Sequence, residues 1–182
     1  MHYHLNINLP FAFHPHHFSD VKGFCELPHP VDETNKEMLI WLRERQLTTR
    51  VIRYFQSVPF QSYPLHWDGF GAMKDIPKIN IVRESNDCVM SWYKIKEGKK
   101  ARRVINLVNE TIDNIDKEDC DLLYSTDCNT DCLINGGIIH DLRNGSNNNK
   151  IRKCYSIFLT DINTGKQATW NHALRMLDDV LE

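Results

Sequence analysis

The sequence predicts a mainly β fold with flanking helices, arranged as an antiparallel barrel or sandwich. Three observations carry that prediction. Short β-rich runs bounded by turn residues fill the middle and late chain. Amphipathic helical patterns stand before and after those runs and not between them. The βαβ alternation that a parallel sheet needs is absent. The 182 residues are enough for one domain with a full core. That domain is expected to span 1–182, with 1–47 as an N-terminal extension and helix and 165–182 as a C-terminal helix.

Taken in order, Tyr3-Leu5-Ile7-Leu9 alternates like a strand, and Pro10, Pro15, Pro28 and Pro30 then rule out a long helix. The same stretch carries His2, His4, His14, His16, His17 and His29. The His14-Pro-His16-His17 cluster is a possible metal binder, and a turn whose imidazoles face solvent or line an entrance is the plainer reading. A helix is predicted over Glu33 to Arg45, with Asp32 or Thr34 as N-cap and Met38, Trp41 and Leu42 as its apolar stripe. Strands follow at Val51 to Val58, Phe60 to Asp68, Ile76 to Arg83 and Val89 to Ile95. In the third of these, Ile79 and Ile81 alternate against Lys78, Asn80 and Val82. Lys96 to Arg103 reads as a basic loop and Glu110 to Asp121 as an acidic surface connection. Strand patterns return at Leu122 to Ser125, Asp131 to Asn135, Ile138 to Leu142 and Ile151 to Leu159. Asn144-Gly-Ser-Asn-Asn-Asn-Lys150 marks a turn between the last two. Trp170, Ala173, Leu174, Leu177 and Leu181 fall at helical spacing, so the chain is expected to end in an amphipathic helix packed on the sheet.

Composition narrows the function classes. Hydrophobic content of 41% and charged content of 25% are ordinary for a globular protein. A net charge of -2 gives no electrostatic reason to expect nucleic acid or an anionic membrane as partner. No apolar run approaches membrane-spanning length, and the N-terminus lacks a basic stretch followed by an apolar one, so a cytoplasmic location is expected. Six cysteines without a signal peptide are expected to be reduced thiols. Cys120, Cys128 and Cys132 crowd together, but their spacing matches no common zinc pattern, and no structural zinc is expected there.

The chemistry concentrates around Leu65-His66-Trp67-Asp68-Gly69. If this stretch is extended, the period of two puts His66 and Asp68 on one face, which makes two thirds of a 2-His-1-carboxylate metal triad. With nine histidines and fifteen aspartates in the chain, about 0.7 His-x-Asp pairs arise by chance, so the motif draws its meaning from residues further along the chain. His140 comes 74 residues downstream on an expected strand. Beyond the Asn-rich turn, Arg152, Cys154 and Ser156 share one strand face and Ile151, Tyr155 and Ile157 the other. His140 and Arg152 are thus expected on the two arms of a hairpin. The guanidinium there is suited to clamp a carboxylate through two hydrogen bonds, with Ser156 as a further hydroxyl donor.

This ordered set resembles the 2-oxoglutarate/Fe(II)-dependent oxygenases. It is most similar to the small aspartyl/asparaginyl-hydroxylase-like and prolyl-hydroxylase-like proteins common in bacteriophages. The matching pieces are His66-Trp-Asp68-Gly69, Asn80-Ile81, Trp92-Tyr93, Leu133-Ile-Asn135, His140 and Arg152 to Ser156, covering about residues 48 to 160. The resemblance implies a double-stranded β-helix (a jelly-roll or cupin-like barrel), with His66, Asp68 and His140 as Fe(II) ligands. It implies Arg152, assisted by Ser156, as the partner of the 2-oxoglutarate carboxylate. It further implies that 2-oxoglutarate is decarboxylated with O2 and that a substrate is oxidised, usually by hydroxylation.

Three positions depart from the family pattern. Asp141 follows the distal histidine, where it either supports the imidazole or points outward. Lys78 stands close before Asn80 on the far side of the expected pocket, and Lys153 adjoins Arg152. Asn80 and Asn135 are expected to hold barrel turns, and Trp67, Trp92 and Tyr93 to pack in the core rather than stack on substrate. The alternatives are a non-catalytic cupin-like barrel that binds a ligand or a protein, and a cupin-like metalloenzyme that does not use 2-oxoglutarate. The sequence does not separate an amino-acid residue in a protein from a small molecule as substrate. The His-rich N-terminus and residues 96–119 are candidates for shaping its entry.

Overall fold

The computed structural model describes residues 2–14, 23–26, 35–57, 63–68, 75–85, 87–105, 111–143 and 151–182. In chain order the elements are β1 (His4–Asn6), β2 (Gly23–Glu26), α1 (Lys36–Glu44), β3 (Leu47–Ser57) and β4 (Tyr63–His66). They continue with β5 (Pro77–Glu84), β6 (Val89–Ile95), β7 (Arg102–Ile105), β8 (Thr111–Asn114) and β9 (Cys120–Asp127). Last come β10 (Cys132–Asn135), β11 (His140–Arg143), β12 (Arg152–Asp161) and α2 (Trp170–Met176). No helix among the described residues is long and apolar enough to cross a membrane.

One sheet runs β1-β10-β5-β12-β3-β2, a second runs β4-β11-β6-β9, and β7 pairs with β8 alone. All the pairings are antiparallel. From β3 onward the chain passes back and forth: β3, β5, β10 and β12 lie in the first sheet, and β4, β6, β9 and β11 in the second. Each sheet is therefore built from strands far apart in sequence, which is the wiring of a double-stranded β-helix. The fold is mainly β with two flanking helices, as the sequence predicts.

Period-two alternation divides the first sheet into two chemically different faces. Ile52 and Tyr54 of β3, Ile79 and Ile81 of β5, Leu133 of β10, and Tyr155, Ile157 and Leu159 of β12 point one way. They form the largest apolar cluster together with Met38, Trp41 and Leu42 of α1 and Trp170, Ala173 and Leu177 around α2. Each such buried side chain contributes about 1.5–3 kcal/mol of hydrophobic stabilisation. The helix stripe expected on α1 is thus the one observed. The core lies outside the barrel, under the helices, and the opposite face of the same strands is left free for Lys78, Asn80, Arg152 and Ser156, all buried.

The ends of the helices are set locally. Asn35 does not cap α1 through its side chain. Instead its Oδ1 accepts from the His14 N–H at 3.1 Å and its Nδ2 donates to the His14 carbonyl at 3.3 Å, tying the N-terminal segment down. The expected caps Asp32 and Thr34 lie outside the described residues, as do His16, His17 and His29. Gln46, at φ 55°, takes the left-handed conformation that turns α1 into β3. Thr169 caps α2 by accepting from the His172 N–H at 3.2 Å. The C-terminal helix is shorter than expected. It stops at Met176, a 3-10 turn follows at Asp178–Val180, and Leu181 leaves helical register to bridge Ile7.

Two further expectations are corrected. The basic and acidic stretches read as loops contribute the β7–β8 ribbon, with Arg102 opposite Asn114 and Ile105 opposite Thr111. Charged side chains do not prevent strand pairing where neither face needs to be apolar. The second correction concerns β11 and β12, which are not arms of one hairpin. β11 pairs with β4 and β6, and β12 with β3 and β5, so the two strands belong to different sheets, and the expected turn at 144–150 lies outside the described residues.

Candidate metal centre

The antiparallel pairing of β4 with β11 sets His140 directly opposite His66. The two rings stand 4.4 Å apart, centroid to centroid. Nδ1 of His66 donates to the Pro64 carbonyl and Nδ1 of His140 to the Ile138 carbonyl, each at 2.7 Å. A carbonyl can only accept, so both Nδ1 atoms carry the proton and both Nε2 lone pairs are left for a metal. Burial is the main force pushing the His140 pKa down, to about 3, so its imidazole is neutral at physiological pH.

Asp68 arrives by a different route from the one expected. β4 ends at His66, and Asp68 sits in a bend beyond it rather than on an extended strand. Its backbone N–H donates to the Gly136 carbonyl at 2.7 Å, while the Gly136 N–H donates to Ile76 at 2.9 Å. A Cβ on Gly136 would lie 2.8 Å from the Asp68 Cβ and closer still to Oδ2. The carboxylate is therefore seated in space that only glycine leaves open. His140 Nε2 is 3.7 Å from Asp68 Oδ2, and one donor atom from each of His66, Asp68 and His140 lies within 4.8 Å of the others. Gly69 lies outside the described residues.

The sequence assigns Lys78 no role, and the structure places it in this site. Its Nζ is 2.5 Å from Asp68 Oδ2, with both side chains nearly buried. Burial on its own would raise the Asp68 pKa, but the Lys78 ammonium, followed by His140 and His66, reverses this and holds the carboxyl well below its usual range. The ion pair is short, and the ammonium takes up the lone pairs of Oδ2. The signal was present in β5: a lysine on the inner face of a strand whose other face is isoleucine has no water to reach.

Arg152 lies on β12 with 4% of its surface exposed. One terminal nitrogen donates to Cys128 Sγ at 3.5 Å, and Nε has no partner among the described residues. Among the described residues no carboxylate pairs with it. Burying a guanidinium without an anion is costly, and the arrangement is that of a receptor for one. Ser156 donates to Asn80 Oδ1 at 2.6 Å. Asn80 is therefore a pocket-wall residue and not a turn residue. Asn135 does hold a turn, accepting from the Ile76 and Gly137 N–H groups.

His66, Asp68, Lys78, Asn80, His140, Arg152 and Ser156 all line one pocket with Phe55, Met90, Leu142 and Cys154. Asp141 neither supports His140 nor faces solvent. It points to the opposite side of β11, where the Tyr93 hydroxyl donates to it at 2.9 Å and Lys117 approaches to 3.5 Å. Trp92 is fully buried in the core, 5.0 Å from the His140 ring, as core packing requires.

Two imidazoles whose Nδ1 atoms are engaged by carbonyls and one ionised carboxylate suit a divalent first-row metal. The Nε2 atoms left to the site and the ionised Asp68 carboxylate fit such an ion. No protein-family model matches the chain, and no curated protein matches it. Solved structures similar to it include two bacterial proteins. The prolyl-4-hydroxylase of Pseudomonas putida is 9% identical, with 75% of this chain and 70% of that one covered at a TM-score of 0.40. AviO1 from Streptomyces viridochromogenes Tue57 is 9% identical, with 87% and 73% covered at a TM-score of 0.46.

Proposed function

We propose that this chain is an Fe(II)- and 2-oxoglutarate-dependent oxygenase, acting as a hydroxylase. The single observation that carries the reading is the meeting of His66, Asp68 and His140 in one pocket with a buried arginine that lacks a carboxylate partner. The three side chains would hold the iron, leaving the remaining positions to cosubstrate and O2. Bound there, iron supplies the activation of O2 that couples 2-oxoglutarate decarboxylation to oxidation of a second substrate.

The chain's own residues account for the rest. Arg152 takes the far carboxylate of 2-oxoglutarate with its planar fork, and Ser156 adds a hydroxyl donor beside it. The Ser156 hydroxyl gives its one proton to Asn80 Oδ1, so donating to the carboxylate requires exchange of that bond. The two backbone carbonyls at 138 and 64 lock both imidazoles in the tautomer a metal requires. Met90, Leu142 and Phe55 make the wall apolar and keep water from the charged groups.

Succinate formation tests this directly. Protein reconstituted anaerobically with Fe(II), then given O2 and 2-oxoglutarate, is expected to release succinate slowly even without substrate, and Arg152→Ala to release essentially none. Absence of succinate from the wild-type protein would count against the reading.

A second reading is supported by Lys78. Its ammonium already pairs with Asp68, and with Arg152 it sets two cationic side chains against one carboxylate in the pocket. A barrel that binds a dianionic ligand without metal or turnover would have these features. It predicts that 2-oxoglutarate or another dicarboxylate binds equally well with and without divalent metal.

A further inference from the structure

A second cluster of metal-ligating side chains stands against Arg152, apart from the pocket triad. Cys128 follows β9, Cys132 opens β10 and His4 opens β1, and one donor atom from each lies within 4.8 Å of the others. The pairing of β1 with β10 places His4 opposite Ile134, on the same inner face as Cys132. Cys88, just before β6, adjoins Cys128 without being within that distance of all three. The Cys128 N–H donates to the Cys88 carbonyl at 3.2 Å, and the Cys88 thiol is directed back at the Cys128 carbonyl at 3.7 Å. Cys88, Cys128 and Cys132 are almost fully buried. The His4 Nε2 is buried and has no hydrogen-bond partner among the described residues.

We propose that His4, Cys128 and Cys132, with Cys88 as the fourth donor, form a structural thiolate–imidazole zinc site that pins the N-terminal strand to the barrel beside Arg152. Cys-x-x-x-Cys, as in Cys128 to Cys132, is within the spacing of structural zinc sites, and three thiols with one imidazole is an established donor set. In the sequence, Cys120, Cys128 and Cys132 stand together as a set. Cys120 packs with Leu65 and Tyr93 in a different cluster, and His4 stands beside Cys128 and Cys132 in its place. Tetrahedral zinc at about 2.3 Å from sulfur and 2.0–2.1 Å from nitrogen needs donors roughly 3.5–3.8 Å apart, so the cluster closes by about an ångström on loading.

Charge favours the same conclusion. On binding, each of the three thiols loses its proton to solvent, and Zn(II) with three thiolates and a neutral imidazole carries a net charge of −1. The guanidinium of Arg152, 3.5 Å from Cys128 Sγ, carries +1. The loaded cluster therefore places a negative charge beside one edge of a buried cation, whose Nε has no partner among the described residues and stays open to a ligand. Soft sulfur ligands also separate the two centres, since thiolates select zinc where the oxygen- and nitrogen-donor triad suits iron.

The test uses the full-length protein. Wild type purified from zinc-supplemented culture is expected to carry zinc in proportion to chain, and His66→Ala/Asp68→Ala to carry the same. Cys128→Ser/Cys132→Ser is expected to lose it. Cobalt exchanged into the wild type is expected to give near-ultraviolet thiolate-to-cobalt bands with the visible bands of tetrahedral cobalt. The triad contains no sulfur, so those bands report this site alone and need no variant that folds. Their absence from the wild type would overturn the proposal, as would zinc that survives the cysteine substitutions or vanishes with the triad substitutions. The outcome is independent of whether the triad binds iron.

Discussion

Asp68 is the residue on which competing demands fall. Lys78 neutralises it, His66 and His140 flank it, and Gly136 makes room for it. An ammonium a few ångströms from a bound divalent ion repels it by several kcal/mol even at an effective dielectric of about 20. Lys78→Met is therefore expected to tighten Mn(II) binding, used as an iron surrogate, by about tenfold or more in a competition titration. Weaker binding would mean that Lys78 supports the metal rather than opposing it. Gly136→Ala should displace the carboxylate and weaken metal binding by roughly 10–100-fold, as losses of supporting contacts do. At Arg152 the planar fork and the charge separate experimentally. Arg152→Ala should weaken 2-oxoglutarate binding by on the order of 100-fold, and Arg152→Lys by less, since it keeps charge without bidentate geometry. Calorimetric titration of metal-loaded protein reads both.

Among the elements, β5 and β12 show how one strand serves stability and chemistry at once. Their outer residues Ile79, Ile81, Ile157 and Leu159 are fully buried under α1 and α2, while Lys78, Asn80, Arg152 and Ser156 line the pocket. Ile157→Ala is expected to cost about 2–5 kcal/mol in urea unfolding, yet to leave metal affinity close to wild type, because its cavity opens on the far side of the sheet. The strands that bear the site were legible because their alternation is strong. The β7–β8 ribbon was not, since Arg102 to Ile105 and Thr111 to Asn114 lack an apolar face and their charge reads as loop. The stop of α2 at Met176 was also hidden. Leu177 and Leu181 continue a helical spacing, but the bridge from Leu181 to Ile7 takes the chain out of the helix.

For the molecule as a whole, the decisive feature is that the two sheets are interleaved in sequence. His66 and His140 become direct neighbours across β4 and β11 although 74 residues separate them. His66-x-Asp68 alone was close to chance, and the order of the later pieces gave it meaning. What local pattern cannot carry is the third dimension: that Gly136 underlies Asp68, that Lys78 reaches it, and that His4 joins Cys128 and Cys132. Each of these depends on contacts between strands distant in sequence. The termini are likewise joined, with the Asn8 N–H donating to the Val180 carbonyl at 2.9 Å and the Glu182 N–H to the Asn6 carbonyl at 3.0 Å. The central claim is that His66, Asp68 and His140 hold an iron that 2-oxoglutarate joins. Optical titration of anaerobic Fe(II) protein with 2-oxoglutarate tests it most directly. A visible charge-transfer band that saturates in the wild type and is missing from His140→Ala and Asp68→Ala is the expected result. A wild-type protein with no such band, or a band that survives both substitutions, would contradict it.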